Sequence, residues 1–206
     1  RILWLENKGN FNFLKHDIEF SNGLDQGSWI TGFNMDYADM NLDGRLDIIS
    51  SVWPSSVYIL YQPKYSYERW NIKKVGSIKP DRLVSVAVAD IDNDGDQDIF
   101  SGSYSLGSRN KDDIDSSNKA YGSVVWFQNN SKSWKKNNIL RRKRGMYDKW
   151  IPIDLDKDND MDFIGTRGNS EPFDGVLWLE QLGYDYSQKV FFPARKIDSK
   201  SVPFDD

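Results

Sequence analysis

The 206-residue sequence contains no cysteine and a single histidine, His16. The first absence excludes a disulfide scaffold, a thiolate nucleophile and any Cys-based zinc site, and the second leaves no route to a multi-histidine metal centre. An excess of positive charge is also missing: 27 Lys+Arg face 31 Asp+Glu, for a formal charge of -4. Domains that grip nucleic acid by counterion release are normally basic, so no nucleic-acid partner is expected. Long apolar runs are absent as well. The longest, LVSVAVA from Leu83 to Ala89, falls far short of the roughly 20 residues a spanning helix needs, so a soluble chain with no membrane span is expected. The opening RILWLENKGN lacks an initiator Met and a small-residue cleavage site, which predicts processing or cropping upstream.

What the sequence does have is repetition. An aspartate ladder occurs three times: ADMNLDGRLDIIS from Ala38, ADIDNDGDQDIFS from Ala89 and IDLDKDNDMDFIG from Ile153. An extended, apolar stretch precedes each, and an apolar pair follows (Ile48-Ile49, Ile99-Phe100, Phe163-Ile164), which reads as strand, loop, strand. A third segment recurs as WLENKG at Trp4, ILYQPK at Ile59, WFQNNS at Trp126 and WLEQLG at Trp178. A fourth places an aliphatic residue five positions after an aromatic one: Phe13/Ile18, Trp70/Val75, Trp134/Ile139 and Phe192/Ile197. The polar residues between them suit an outer edge strand, where charge discourages edge pairing.

Four strand-like segments per unit, with spacings of 51 from Asp39 to Asp90 and 64 from Asp90 to Asp154, predict an all-β fold. They fit a β-propeller of four-stranded blades, whose units run about 40 to 50 residues. The predicted organisation is the end of a blade at 1–18, whole blades at 30–75, 83–139 and 149–197, and the start of another at 200–206. Closed propellers use about 4 to 8 blades, so a fragment of a larger ring is expected. The alternative is that the two terminal pieces combine into one further blade.

The ladder is the chemistry. Oxygen donors at positions 1, 3 and 5, a turn residue at 6, a carbonyl at 7 and a carboxylate at 9 let a short loop wrap one hard cation, and calcium accepts about six to eight oxygens. The first loop offers Asp39, Asn41, Asp43 and Asp47, the carbonyl of Arg45, and Gly44 at the turn. The second offers Asp90, Asp92, Asp94 and Asp98, the carbonyl of Asp96, and Gly95. The third offers Asp154, Asp156, Asp158 and Asp162 with the carbonyl of Asp160, and places Asn159, which tolerates the left-handed region, at the turn. With the fewest carboxylates, the first loop is expected to bind most weakly. An EF-hand would close with Glu at position 12, where this chain has Ser50, Ser101 and Gly165. The ladders hold 13 of the 31 acidic residues, so the acidity is mostly loop charge.

These repeats resemble the FG-GAP and VCBS family, the calcium-loop blades of propellers like that of integrin α-subunits and of many secreted bacterial proteins. The resemblance rests on the DxDxDGxxD element and the W-[LF]-[EQ]-[NQ] segment, although no literal Phe-Gly followed by Gly-Ala-Pro occurs. It implies a seven-bladed ring, about three Ca2+ ions bracing the blades, and ligands bound elsewhere on loop faces. It implies no catalytic residue.

The remaining candidates have plainer readings. His16 sits where the other repeats have Lys73, Asn137 and Arg195, a solvated outer-strand position. The run Arg141, Arg142, Lys143, Arg144 reads as a solvated connection rather than an anion patch. Residues 104–122 form a polar insertion, with the ladder-to-third-segment interval at 36 residues against 20 and 24 in the other units. Trp4, Trp126, Trp178, Trp70 and Trp134 occupy repeat positions and are expected in the core, leaving Trp29, Trp53 and Trp150 for sugar stacking, Trp53 first because Pro54 marks a loop. The expected function is a calcium-braced, secreted or surface-exposed adhesion module that binds glycan or protein, joined to the remaining blades of a parent chain. The competing class is a segment of a propeller-based carbohydrate-active enzyme, a polysaccharide lyase or sugar dehydratase type.

Overall fold

In the computed structural model the described residues are 2–21, 23–65, 67–105, 121–142, 145–166, 175–182, 184–185, 189–190 and 194–197. They are all-β. β1 (Ile2–Asn7) and β2 (Phe13–Ile18) form a two-stranded sheet. The first four-stranded sheet contains β3 (Trp29–Ala38), β4 (Asp47–Trp53), β5 (Ser56–Tyr61) and β6 (Asn71–Ser77). The second contains β7 (Arg82–Ala89), β8 (Asp98–Tyr104), β9 (Gly122–Asn129) and β10 (Trp134–Arg142). In the third, β11 (Lys149–Ile153), β12 (Asp162–Thr166) and β13 (Val176–Leu179) are followed by a small hairpin, β14 (Tyr184–Asp185) and β15 (Lys189–Val190), before β16 (Ala194–Ile197) closes the edge. Every pairing within these sheets is antiparallel. Residues 106–120, 192 and 200–206, on which part of the polar insertion, the Phe192 aromatic and the expected next blade fall, lie outside the described residues.

Side chains alternate across a strand, so a sheet covered on both faces reads as an unbroken apolar run. That explains LVSVAVA and SVVWFQ. In β9, Val124 and Trp126 join the core against the third sheet, while Val125 and Phe127 join the core against the first. In β8, Phe100 faces one way and Ile99 the other. Stacked sheets that meet through such faces are a propeller-type arrangement. The first strands β3, β7 and β11 lie side by side. Asp36 Oδ2 accepts the Val88 N–H at 2.9 Å, Ser85 Oγ donates to the Tyr147 carbonyl at 2.6 Å, and Asn34 Nδ2 donates to the Asp148 carbonyl at 3.3 Å. The fourth strand of the second sheet is polar outward, as its sequence predicts: β10 mixes exposed and half-buried positions along its length.

Two tryptophan assignments change. Trp150 is buried, packed edge-on against Phe100 and Phe163, and belongs to the core between the second and third sheets. Trp4 is 43% exposed, because among the described residues β1 pairs only with β2 and the indole stacks on His16 of that same sheet. The His16 ring also lies 3.0 Å from Glu6 Oε2.

Candidate metal centres

Each aspartate ladder links the first two strands of a four-stranded sheet: 39–46 between β3 and β4, 90–97 between β7 and β8, and 154–161 between β11 and β12. All three loops share one backbone form. Position 6 has positive φ in Gly44 (83°), Gly95 (92°) and Asn159 (72°), and so does position 4, in Leu42 (58°), Asn93 (56°) and Lys157 (67°). Two left-handed residues two apart fold the loop over the carboxylate at position 1. Asp39 accepts the N–H groups of Asp43 at 3.0 Å and Gly44 at 2.7 Å. Asp90 accepts those of Asp94 at 3.1 Å and Gly95 at 2.9 Å, and Asp154 that of Asn159 at 3.2 Å. Position 5 then takes the N–H of position 7: Asp43 from Arg45 at 3.0 Å, Asp94 from Asp96 at 2.9 Å, Asp158 from Asp160 at 3.1 Å.

These bonds gather the free oxygens. Asp90, Asp92 and Asp94 each offer a carboxylate oxygen, as do Asp154, Asp156 and Asp158, with the oxygens of each group within 4.8 Å of one another. Three like charges so close repel, and a divalent cation among them turns that repulsion into attraction. Burial first, and then the charges of Asp92, Asp96 and Asp90, hold the Asp94 carboxyl above its ordinary pKa, against the pull of the Asp96 N–H. Oδ1 of Asp154 is shielded from solvent and meets no hydrogen-bond donor among the described residues. A hard cation suits an oxygen so placed, and both clusters can hold a metal ion. The two loops also touch, Asn93 Nδ2 donating to the Asn159 carbonyl at 3.4 Å.

The first loop is different. Asn41 turns its amide on Asp43 and donates from Nδ2 to Oδ2 at 2.9 Å. The Arg45 guanidinium donates to the same oxygen and is steered there by a second bond, Nε to the Gln62 carbonyl at 3.0 Å. A cation of the chain's own sits beside the carboxylate that a metal would use.

Position 9 forms a latch. Asp47, Asp98 and Asp162 are fully buried. Asp47 accepts the N–H groups of Gln62 at 2.8 Å and Met40 at 3.0 Å. Asp98 accepts those of Asn129 at 2.6 Å and Ile91 at 3.3 Å. Asp162 accepts those of Gln181 at 2.8 Å and Leu155 at 3.3 Å, with the Trp178 indole N–H at 2.9 Å. In each case the carboxylate ties loop position 2 to the end of the third strand, at its last residue (Asn129), just past it (Gln62) or two beyond it (Gln181). Burial is the main reason all three are pushed above the usual carboxylate range, Asp98 to about 7. A carboxylate has about four lone-pair sites, so these bonds leave capacity for an ion. Asp96, at position 7, accepts the Ser131 hydroxyl at 2.6 Å, and Asp92 accepts Gln128 Nε2 at 2.6 Å, anchoring the second loop to β9 and the turn after it.

Elsewhere the structure corrects the reading of the basic run. β10 extends through Arg142, and Arg141 binds the buried Asp81 with Nε at 2.8 Å and Nη2 at 3.0 Å. Half of that run is therefore strand, one member of it a tethered ion-pair partner; Lys143 and Arg144 lie outside the described residues.

Fold and loops together define a propeller-type repeat protein with acidic loops between the first and second strands. The sequence model of the FG-GAP-like repeat family matches residues 39–101, from the first ladder through the second, so the resemblance seen in the ladders holds across that span. No curated protein matches the chain significantly.

Proposed function

We propose that the chain is a calcium-binding propeller module of a secreted or surface protein, which braces its blades with metal and offers loop faces to a glycan or protein ligand in adhesion. The observation that carries this reading is the pair of carboxylate triads, Asp90/Asp92/Asp94 and Asp154/Asp156/Asp158, formed by one loop conformation in successive sheets. Oxygen-only donors favour a hard cation, and calcium tolerates irregular geometry better than magnesium. The second and third loops bind tightly and the first weakly. The ions neutralise charge that the fold holds together and supply no chemistry, so this segment acts as a scaffold and not as a catalyst. Extracellular calcium would keep even modest sites loaded, and a site at a hundredfold excess over its dissociation constant adds about 2.7 kcal/mol.

Native mass spectrometry with and without calcium counts the ions, and melting with EGTA against millimolar calcium reads their contribution. A rise of many degrees with calcium is expected. An unchanged melting temperature overturns the reading.

A further inference from the structure

The ends of the sheets opposite the aspartate loops carry a different chemistry. β4 runs from Asp47, which closes the first loop, to Trp53 at the other end. At about 3.3 Å per residue that is about 20 Å away. There Trp29 and Trp53 face one another across β3 and β4, ring centroids 5.3 Å apart and planes inclined by 22°. Trp29 keeps 53% of its surface in solvent. The guanidinium of Arg82, the first residue of β7 in the next sheet, lies over the Trp53 ring, 4.7 Å from its centroid.

Arg82 is notable for what it does not touch. The neighbouring Asp81 is the natural partner, but its carboxylate is committed: Oδ2 accepts Arg141 Nε at 2.8 Å, and Oδ1 accepts Arg141 Nη2 at 3.0 Å and the Tyr121 N–H at 2.7 Å. Among the described residues Arg82 makes no ion pair, and its Nε is shielded from solvent without an acceptor. A shielded donor without an acceptor is costly, and a planar guanidinium matches a carboxylate or sulfate by two parallel bonds. The indoles beside it offer a rigid apolar surface of the kind that stacks on a pyranose ring.

We infer that Trp29, Trp53 and Arg82 form a binding site for an anionic sugar, with the pyranose stacked on the exposed indole and its carboxylate or sulfate on the guanidinium. The inference rests on the reading of the chain as a ligand-presenting module, and it gives that reading a place and a ligand class. It is separate from the metal loops in position and in chemistry.

The test is titration of the calcium-loaded chain, followed by calorimetry and tryptophan fluorescence, with trigalacturonate, its methyl ester, a heparin-derived tetrasaccharide and poly-glutamate. Either or both of the two anionic sugars bind, the comparison telling carboxylate from sulfate, and the methyl ester binds at least tenfold more weakly, as expected for the loss of a charge-assisted pair. Arg82→Gln weakens the anionic sugar by roughly the same factor, and Trp29→Ala, a change at an exposed position, abolishes binding while leaving the calcium-dependent melting intact. Binding of ester and acid with equal affinity overturns the proposal, as does binding of poly-glutamate alone or indifference to both substitutions. If no sugar binds while calcium still raises the melting temperature, the sugar site falls and the calcium reading stands.

Discussion

The Trp178 indole N–H donates to Oδ2 of Asp162 across 2.9 Å, inside the protein. This bond explains why one tryptophan of the recurring W-[LF]-[EQ]-[NQ] segment faces a ladder aspartate. The third strand supplies a donor to the buried carboxylate that ends the loop, beside the Gln181 and Leu155 N–H groups. Trp178→Phe keeps most of the ring and removes the donor, leaving a buried acceptor short of a partner. It should cost about 1–3 kcal/mol, read as a lower urea midpoint, and the same midpoint in both proteins would show that the bond contributes nothing.

The first loop can be converted into a copy of the others. Arg45 stands at the position held by Asp96 and Asp160, and its guanidinium engages Asp43. Arg45→Asp removes the internal cation and adds a carboxylate, so it should tighten calcium binding at that loop by tenfold or more, on the order expected for reversing a neighbouring charge. Native mass spectrometry at limiting calcium should show an additional ion retained. In the unaltered chain, graded chelation should empty the first loop before the other two.

Much of this was legible in the sequence, and what was not has identifiable causes. The strands around the second ladder could be read because that sheet is buried on both faces, so β7 and β9 are continuous apolar runs. The left-handed turn at Gly44 and Gly95 follows from residue type. The equally left-handed Leu42 and Lys157 do not, since neither residue favours that region and the loop's hydrogen bonds impose it. The latch at Asp47, Asp98 and Asp162 was hidden because an aspartate in a ladder looks the same whether it faces an ion or a backbone N–H. The one hint is the apolar residue at position 2, Met40, Ile91 or Leu155, which draws its own N–H into reach of the latch. Arg141 read as solvated because its partner, Asp81, is distant in sequence and becomes a neighbour only when β7 and β10 fold into one sheet.

Trp150 needs two glycines. A β-carbon on Gly165 of β12 would clash with Cζ3, Cε3 and Cη2 of its six-membered ring, and one on Gly102 of β8 would lie 2.7 Å from its Nε1 and close to the Tyr147 carbonyl. The indole thus fills the space between two sheets by lying on bare backbone. Gly165→Ala should destabilise by about 1–3 kcal/mol, the usual range for overpacking a core. Pairing it with Trp150→Leu should recover part of that loss, and no recovery in the double variant would place the strain elsewhere.

Gly95 separates the two demands that the loop makes on its turn residue. Its φ is 92°, and a β-carbon there would meet nothing within 4 Å, so any penalty for substitution comes from backbone conformation and not from crowding. The third loop already holds Asn159 at this position with φ 72°. Gly95→Asn should therefore fold and bind metal with little change. Gly95→Val should lose about 1–2 kcal/mol, because a branched side chain resists the left-handed region. The loss should also appear in metal affinity, because the Gly95 N–H holds Asp90 at 2.9 Å and a distorted turn would release it from the triad. Melting of both variants with and without calcium checks this: a calcium-dependent increment that shrinks in Gly95→Val and persists in Gly95→Asn is the expected pattern, and equal increments would show that the turn does not position the ligands.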